Sequence, residues 1–256
     1  MTRAQAGDWD YDRHGPGYTV YRRPEPRIAA MVLDALGPAR TIVNVGAGAG
    51  SYEPEDRYVI AVEPSAIMRS QRPAQLAPAI DAVAEHIPLD DGAVDAAMAM
   101  VTIHQWPDGQ RGLREMRRVA RGPVVVLTFD GDALNRFWLA EYSPELVAAE
   151  RRRMPSIASI RAALGGSSEV RVVPVPADCA DGFTEAYYAR PEIFLDPAAR
   201  AAQSAWGFIS PSEQEEAVSR LRADLQSGAW DARFGHLRST AAFEGSLRLV
   251  IAHPAS

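Results

Sequence analysis

Cysteine is nearly absent from this 256-residue chain. A lone Cys179 cannot close an internal disulfide, which excludes a small stapled scaffold and fits a reducing compartment. No apolar run approaches the ~20 residues that span a bilayer. The first fifteen residues, MTRAQAGDWDYDRHG, hold no apolar signal core, so a soluble, cytoplasmic protein with no membrane partner is expected. Positive charge is also in deficit. Lys and Arg number 27 against 33 Asp and Glu, a formal charge of -6, which argues against a nucleic-acid backbone as the main partner. The arginines at 151–153 form the one dense basic run and read as a solvated helix face. The scattered Asp, His and Cys have no metal-ligand spacing, and no Ser-His-Asp set has a motif around it. Repeats and low-complexity tracts are absent.

What is present is an ordinary globular composition, 47% hydrophobic and 23% charged. The length suits one large α/β domain or a domain with a smaller attachment. Residues 41–64, TIVNVGAGAGSYEPEDRYVIAVEP, carry the densest information. Two runs rich in β-branched residues, Thr41–Val45 and Tyr58–Val62, read as buried parallel strands. Between them, Gly46, Gly48 and Gly50 let the backbone approach a ligand where a Cβ would collide. Glu63, ending the second strand, suits two ribose hydroxyls. Alone, this pattern leaves open which nucleotide is bound.

Along the chain, residues 1–26 are polar and broken by Gly and Pro. They still carry Trp9, Tyr11, Tyr18 and Tyr21, and an arm folded over the site is expected. From Arg27 a helix is predicted by Ile28, Met31, Val32, Ala35 and Leu36, with Pro26 at its first turn and Gly37 at its close. A short helix follows Pro64, then a weak strand at 79–84, a polar loop at 84–92 and a strand at 94–103. Asp108 caps the next helix, whose Leu113, Met116 and Ala120 face inward, and 124–129 is an apolar strand of the buried parallel kind. This alternation predicts right-handed crossovers in a doubly wound parallel sheet. Beyond Asp130, helices open at Ser143 and Ser156, and strands are expected at 170–175 and 246–252. The long interval before the last strand contains a capping box at Ser210 to Glu213. It is read as a helical lid over the strand ends, without a core of its own.

A dinucleotide site would want a glycine at Ser51, but the third glycine comes one residue early, at Gly50. Gly-x-Gly-x-Gly, an acid seventeen residues after Gly46, the Ala84-Glu85-His86-Ile87-Pro88-Leu89 loop and an Asp95-containing strand together resemble the class I S-adenosylmethionine-dependent methyltransferases. The closest sub-pattern is the bacterial small-molecule, type 11-like group, and the resemblance spans residues 27–130. It implies a single mostly parallel seven-stranded sheet, Rossmann-like, with the last strand antiparallel and a helical lid insertion. The domain boundaries that follow are an arm at 1–26, a cofactor-binding domain at 27–176 and 246–256, and a lid at 177–245. The implied cofactor is S-adenosyl-L-methionine, leaving as S-adenosyl-L-homocysteine. By resemblance, Gly46, Ala47 and Gly48 line its methionine and ribose, and Glu63 accepts both ribose hydroxyls. Pro64 and Ser65 flank the adenine, Ala84 and Glu85 edge it, and Met100, Val101 and Thr102 form the floor. Tyr11, Tyr18 and Arg23 close over the cofactor, the arginine near its carboxylate. Two positions depart from the pattern. Asn44 stands where an acid is frequent, so a charged anchor behind the glycine turn is absent. Val83 stands where an aspartate often holds the adenine amino group.

Methyl transfer from a sulfonium is an in-line displacement for which a protein supplies proximity, alignment and exclusion of water. The expected function is therefore transfer to an oxygen, nitrogen or carbon of a small organic acceptor. His104 is the candidate base or orienting group, and Trp106, Trp138 and Tyr142 are candidate acceptor contacts. Two alternatives stay open. A nicotinamide-dependent (NAD(P)) oxidoreductase needs Ser51 to replace a glycine and leaves the Ala84 loop unexplained. A non-catalytic S-adenosylmethionine-binding or regulatory protein is motivated by Asn44 and Val83.

Overall fold

The computed structural model describes residues 21–254. Helix α1 (Pro26–Leu36) starts where Glu25 accepts the Arg27 amide and stops at Gly37, whose φ of 56° belongs to the left-handed region. Its buried stripe of Ile28, Val32, Ala35 and Leu36 matches the 3.6-residue period. The strands are β1 (Thr41–Val45), β2 (Tyr58–Val62), β3 (Ala79–Ile80), β4 (Ala96–Met100), β5 (Val124–Phe129), β6 (Ser167–Val172), β7 (Val175–Pro176), β8 (Ala242–Phe243) and β9 (Leu247–His253). Seven of them form one sheet in the order β3-β2-β1-β4-β5-β9-β6. All pairings from β3 to β5 are parallel, while β9 runs antiparallel to both β5 and β6. The α/β doubly wound sheet with an antiparallel last strand is thus the observed fold.

Between the strands lie α2 (Ala66–Ser70), α3 (Gly109–Val119), α4 (Leu139–Tyr142), α5 (Pro144–Arg153) and α6 (Ile157–Leu164). Alternation along the strands sends Ile42, Val125, Leu127 and Leu249 to the α1 face, and Val43, Val124, Val126 and Val250 to the face under α3 and α6. A third cluster is aromatic: Phe137, Trp138 and Tyr142 pack with Tyr188, Phe194, Trp206 and Trp230 of the insertion. The insertion therefore packs on the helices after β5, and its longest helix, α7 (Pro211–Ser227), opens with the expected reciprocal Ser210 and Glu213 capping box.

Three strand expectations change at their ends. The strand expected at 79–84 is two residues long, and its remainder is turn that carries Ala84 inward. The strand expected at 94–103 stops at Met100, because Val101 takes φ 54° and leaves the pleat. The one expected at 170–175 runs from Ser167 to Val172. Pro174 cannot continue a ladder, and Val175–Pro176 pairs instead with Ala242–Phe243. Asp95 lies at the opposite end of the sheet from the strand C-termini, accepting the Arg40 and Thr41 amides at 2.9 Å, which ties β1 to β4.

Candidate active site

The sheet order reverses between β1 and β4, which opens a crevice at their carboxyl ends. A cleft of about 270 Å³ occupies it, lined by Gly46, Ala47, Gly48, Glu63, Pro64 and Ser65 on one side and by Ala84, Glu85, Met100 and Val101 on the other. The Gly46 and Ala47 amides both donate to Val62 O, at 2.9 and 3.0 Å, so the turn is pinned to β2. Gly46 has φ 68°, and a Cβ there would stand 2.8 Å from Thr102 Cγ2. Only glycine satisfies both the conformation and the space.

Glu63 is buried, its Oε2 accepting the Gly48 amide and its Oε1 the Ser65 amide, each at 2.8 Å. Burial pushes its carboxyl above the ordinary range, against the lowering effect of those two bonds. A carboxylate offers about four acceptor sites. Two are used by the backbone, and the rest belong to a side chain that lines the cleft.

Behind the turn, Asn44 Nδ2 donates to Glu53 Oε1 at 2.9 Å. Arg72 holds the same carboxylate with two bonds, at 2.8 and 3.0 Å, and its Nη1 reaches Gly48 O at 3.4 Å. The charged anchor that the sequence suggested was missing is therefore present, delivered by Glu53 nine residues on. Asn44 is among the residues lining the cleft, and its buried Oδ1 has no hydrogen-bond partner among the described residues.

At the other end of the cleft, Val83, Ala84, Glu85, Trp106 and Pro107 form the walls. Glu85 Oε1 accepts the Asp108 amide at 2.9 Å, which fastens the Ala84 loop to the start of α3. Trp106 lies over Gly112, where a Cβ would come 2.5 Å from Cε3. Trp106, expected as an acceptor contact, lines this cleft and not the second cavity.

A second cavity of about 60 Å³ lies beside it, under the insertion, and shares Arg22, Val101 and Gln105 with the cleft. His104 lines it, together with Phe129, Phe137, Met154, Phe183 and Glu185. The arginine in this region is Arg22, not Arg23. Arg22 Nε sits 2.5 Å from Asp181 Oδ1, and Asp181 Oδ2 accepts the Tyr52 hydroxyl at 2.9 Å, whereas Arg23 is exposed and lines neither cavity. Successive side chains of a non-helical arm point to different sides, so a shift of one position exchanges the buried arginine for the solvated one. Tyr11 and Tyr18 lie outside the described residues.

Trp138 and Tyr142 also stand apart from both cavities. Trp138 Nε1 donates to Tyr188 O at 2.9 Å and its ring meets Tyr142 and Trp230 edge-on, while the Tyr142 hydroxyl donates to Asp224 at 2.7 Å. Both build the insertion's core, and the neighbouring Phe137 is the one that reaches the cavity. Cys179 is buried, which pushes its thiol up to about 12 and leaves it unreactive. Among the described residues, no three His, Cys, Asp or Glu are grouped to hold a metal.

Residues 43–126 match the family described as "Methyltransferase domain". An uncharacterized methyltransferase of Mycobacterium tuberculosis is 32% identical over 117 residues, 42% of this chain and 47% of that protein. The chain thus spans about half the length of the curated relatives it matches. Among solved structures, a putative methyltransferase from an antibiotic biosynthesis pathway of Anabaena variabilis is 28% identical with a TM-score of 0.83, over 91% of this chain and 98% of that one. The geranyl diphosphate C-methyltransferase of Streptomyces coelicolor, solved with Mg2+, geranyl-S-thiolodiphosphate and S-adenosyl-L-homocysteine, is similar in fold. It is 15% identical, with a TM-score of 0.51 over 89% of this chain and 75% of that one. Residues 43–126, which hold the glycine turn, the acid on β2 and the crevice between β1 and β4, are thus similar to a methyltransferase domain, and the fold is that of the Anabaena structure.

Proposed function

We propose that the chain moves a methyl group from S-adenosylmethionine to an oxygen, nitrogen or carbon of a small organic acceptor, the donor lying in the cleft and the acceptor in the cavity beneath the insertion. The observation that carries this reading is that the two spaces meet at Arg22, Val101 and Gln105. A donor and an acceptor held on either side of that junction are already close and oriented, which is the main service a protein gives to such a displacement. The cleft residues fit the donor. Glu63 keeps acceptor capacity for ribose hydroxyls, the Gly46 to Gly48 turn admits close backbone contact, and the unpartnered Asn44 Oδ1 suits an ammonium group. When bound, the sulfonium supplies an activated methyl carbon.

His104 lines the acceptor cavity and orients the nucleophile there. The lid at 177–245 shields the site, and its Gly182 amide donates to Tyr21 O, at the start of the described residues, at 2.9 Å. A small acceptor accords with the size of the cavity and with the biosynthetic pathway named for the Anabaena relative. No described helix is long and apolar enough to cross a membrane, which accords with a cytoplasmic site of action. Titration calorimetry of the full chain with S-adenosylhomocysteine, S-adenosylmethionine and NAD tests the donor. The first two are expected to bind, and binding of NAD alone would sink the proposal. Glu63→Ala should weaken S-adenosylhomocysteine by about 2–4 kcal/mol, the worth of one or two charge-assisted hydrogen bonds. Unchanged affinity would move the ribose elsewhere.

A further inference from the structure

Glu185 is a buried carboxylate that the reading above leaves without a task. It lies in the single turn Thr184–Tyr187 of the insertion, is 1% exposed, and lines the second cavity beside Thr184 and Gln203. Its Oε1 accepts the Ser246 amide at 3.0 Å and its Oε2 accepts the Ser246 hydroxyl at 2.8 Å. The chain leaves room for it, since a Cβ on Gly245 would stand 2.6 Å from Oε2. Arg248, behind it, donates to Gly245 O and Leu247 O and lies 3.4 Å from Asp130. Across the cavity the charged groups are Arg22, paired with Asp181, and Glu150, paired with Arg153.

A carboxylate held in such a place is unfavourable as an anion unless it is fully compensated. Burial outweighs the Ser246 bonds and the Arg248 field and pushes the Glu185 carboxyl up to about 7. Groups of this kind at a cavity wall suit proton transfer near neutrality.

We propose that Glu185 takes the proton of the acceptor, so that the acceptor is a neutral small molecule with an apolar body and a dissociable O–H or N–H. This rests on the methyl-transfer reading of the two cavities. The acceptor's lone pair forms the bond to the methyl carbon, the carbon–sulfur bond breaks with its pair on sulfur, and the O–H or N–H proton passes to Glu185. Phe129, Phe137, Phe183 and Met154 receive the apolar body. Carboxylate and phosphate acceptors are disfavoured, because two carboxylates line the cavity and its arginine already serves Asp181. His104 orients the acceptor and is not the proton's destination.

The test uses the full chain. Binding of S-adenosylhomocysteine is first measured by calorimetry. Methyl transfer from S-adenosylmethionine to phenol, benzyl alcohol, aniline, phenylacetate and phenyl phosphate is then followed from acid to alkaline pH. Transfer to an O–H or N–H probe is expected, rising with pH through about 7. Glu185→Gln should lower kcat about 100-fold or more and abolish that rise, with S-adenosylhomocysteine affinity unchanged. Ser246→Ala keeps the carboxylate but removes a bond that stabilises its anion, so the rise should move to higher pH. It serves as the decisive variant if Glu185→Gln fails to fold in a thermal melt. A retained rise in a folded Glu185→Gln, an unmoved rise in Ser246→Ala, a preference for the anionic probes, or no turnover of any O–H or N–H probe by a chain that binds S-adenosylhomocysteine would each overturn the assignment. Failure to bind S-adenosylhomocysteine at all would instead overturn the donor reading beneath it.

Discussion

The cleft at the glycine turn and the cavity beneath the insertion are neighbours built by different means. The cleft is mostly backbone: amides of Gly46, Ala47 and Gly48, strand ends, and one carboxylate that is itself oriented by two main-chain donors. The cavity is mostly side chains, gathered from residue 22, from the ends of β4 and β5, from the helices at 134–154, and from turns beyond residue 180. Backbone recognition depends on a short local pattern and tolerates drift elsewhere. Side-chain recognition depends on which residues a long insertion carries inward. That contrast accords with a family match confined to residues 43–126.

The hardest way to break the contrast is to damage one side and watch the other. Trp138 sits 4% exposed in the aromatic cluster, against Phe137, Tyr142, Phe194, Trp230 and Phe234. Trp138→Ala should destabilise the protein by about 3–5 kcal/mol in a denaturant melt. At temperatures where the variant is folded, its affinity for S-adenosylhomocysteine should equal that of the parent, because no atom of Trp138 lines the cleft. A parallel loss of affinity would mean that the two sides stand or fall together.

A smaller perturbation sharpens the donor side alone. Gly46 and Gly48 both take positive φ, but their neighbours differ. A Cβ on Gly46 would press on Thr102, a side chain fixed at the end of β4, whereas one on Gly48 would meet the movable Met68 Cε at 3.3 Å. Gly46→Ala should cost about 2–4 kcal/mol, as left-handed strain plus overpacking, and Gly48→Ala about 1–2 kcal/mol. Thermal melts read the stability difference, and calorimetry with S-adenosylhomocysteine should rank the two variants in the same order.

The two sides also differ in how much of them the sequence discloses. Hydrophobic alternation and helix caps are local, so β1, β2, β5, α1 and α3 are legible from a few consecutive residues, and the glycine turn comes with them. The anchor behind that turn is not, because Asn44, Glu53 and Arg72 meet only after α2 has folded back. The Arg22 and Asp181 pair joins residues 159 apart, and no spacing rule connects them. Each aromatic side chain after Asp130 is more often core than pocket, but the sequence does not say which of them reaches a cavity. Phe137, Trp138 and Tyr142 are all buried in one cluster, and what separates them is that Phe137 also lines the cavity.

The smallest expected effect bears on the boundary between the two sides. Arg22 contributes to both spaces, and its guanidinium is mostly buried against Asp181. Removing it leaves Asp181 with the Tyr52 hydroxyl as a remaining donor, so the loss should fall between that of an exposed and a fully buried pair. Arg22→Met is therefore expected to lower stability by about 1–2 kcal/mol and to weaken S-adenosylhomocysteine roughly tenfold, in proportion to its share of the cleft wall. Arg23→Ala, one residue along and solvated, should change neither by more than about 0.5 kcal/mol. Melts and calorimetry on this pair decide which arginine the arm presents to the site. A ligand effect at Arg23 with none at Arg22 would require the arm to turn over when the donor binds, and the junction of the two cavities would then be formed by a different residue.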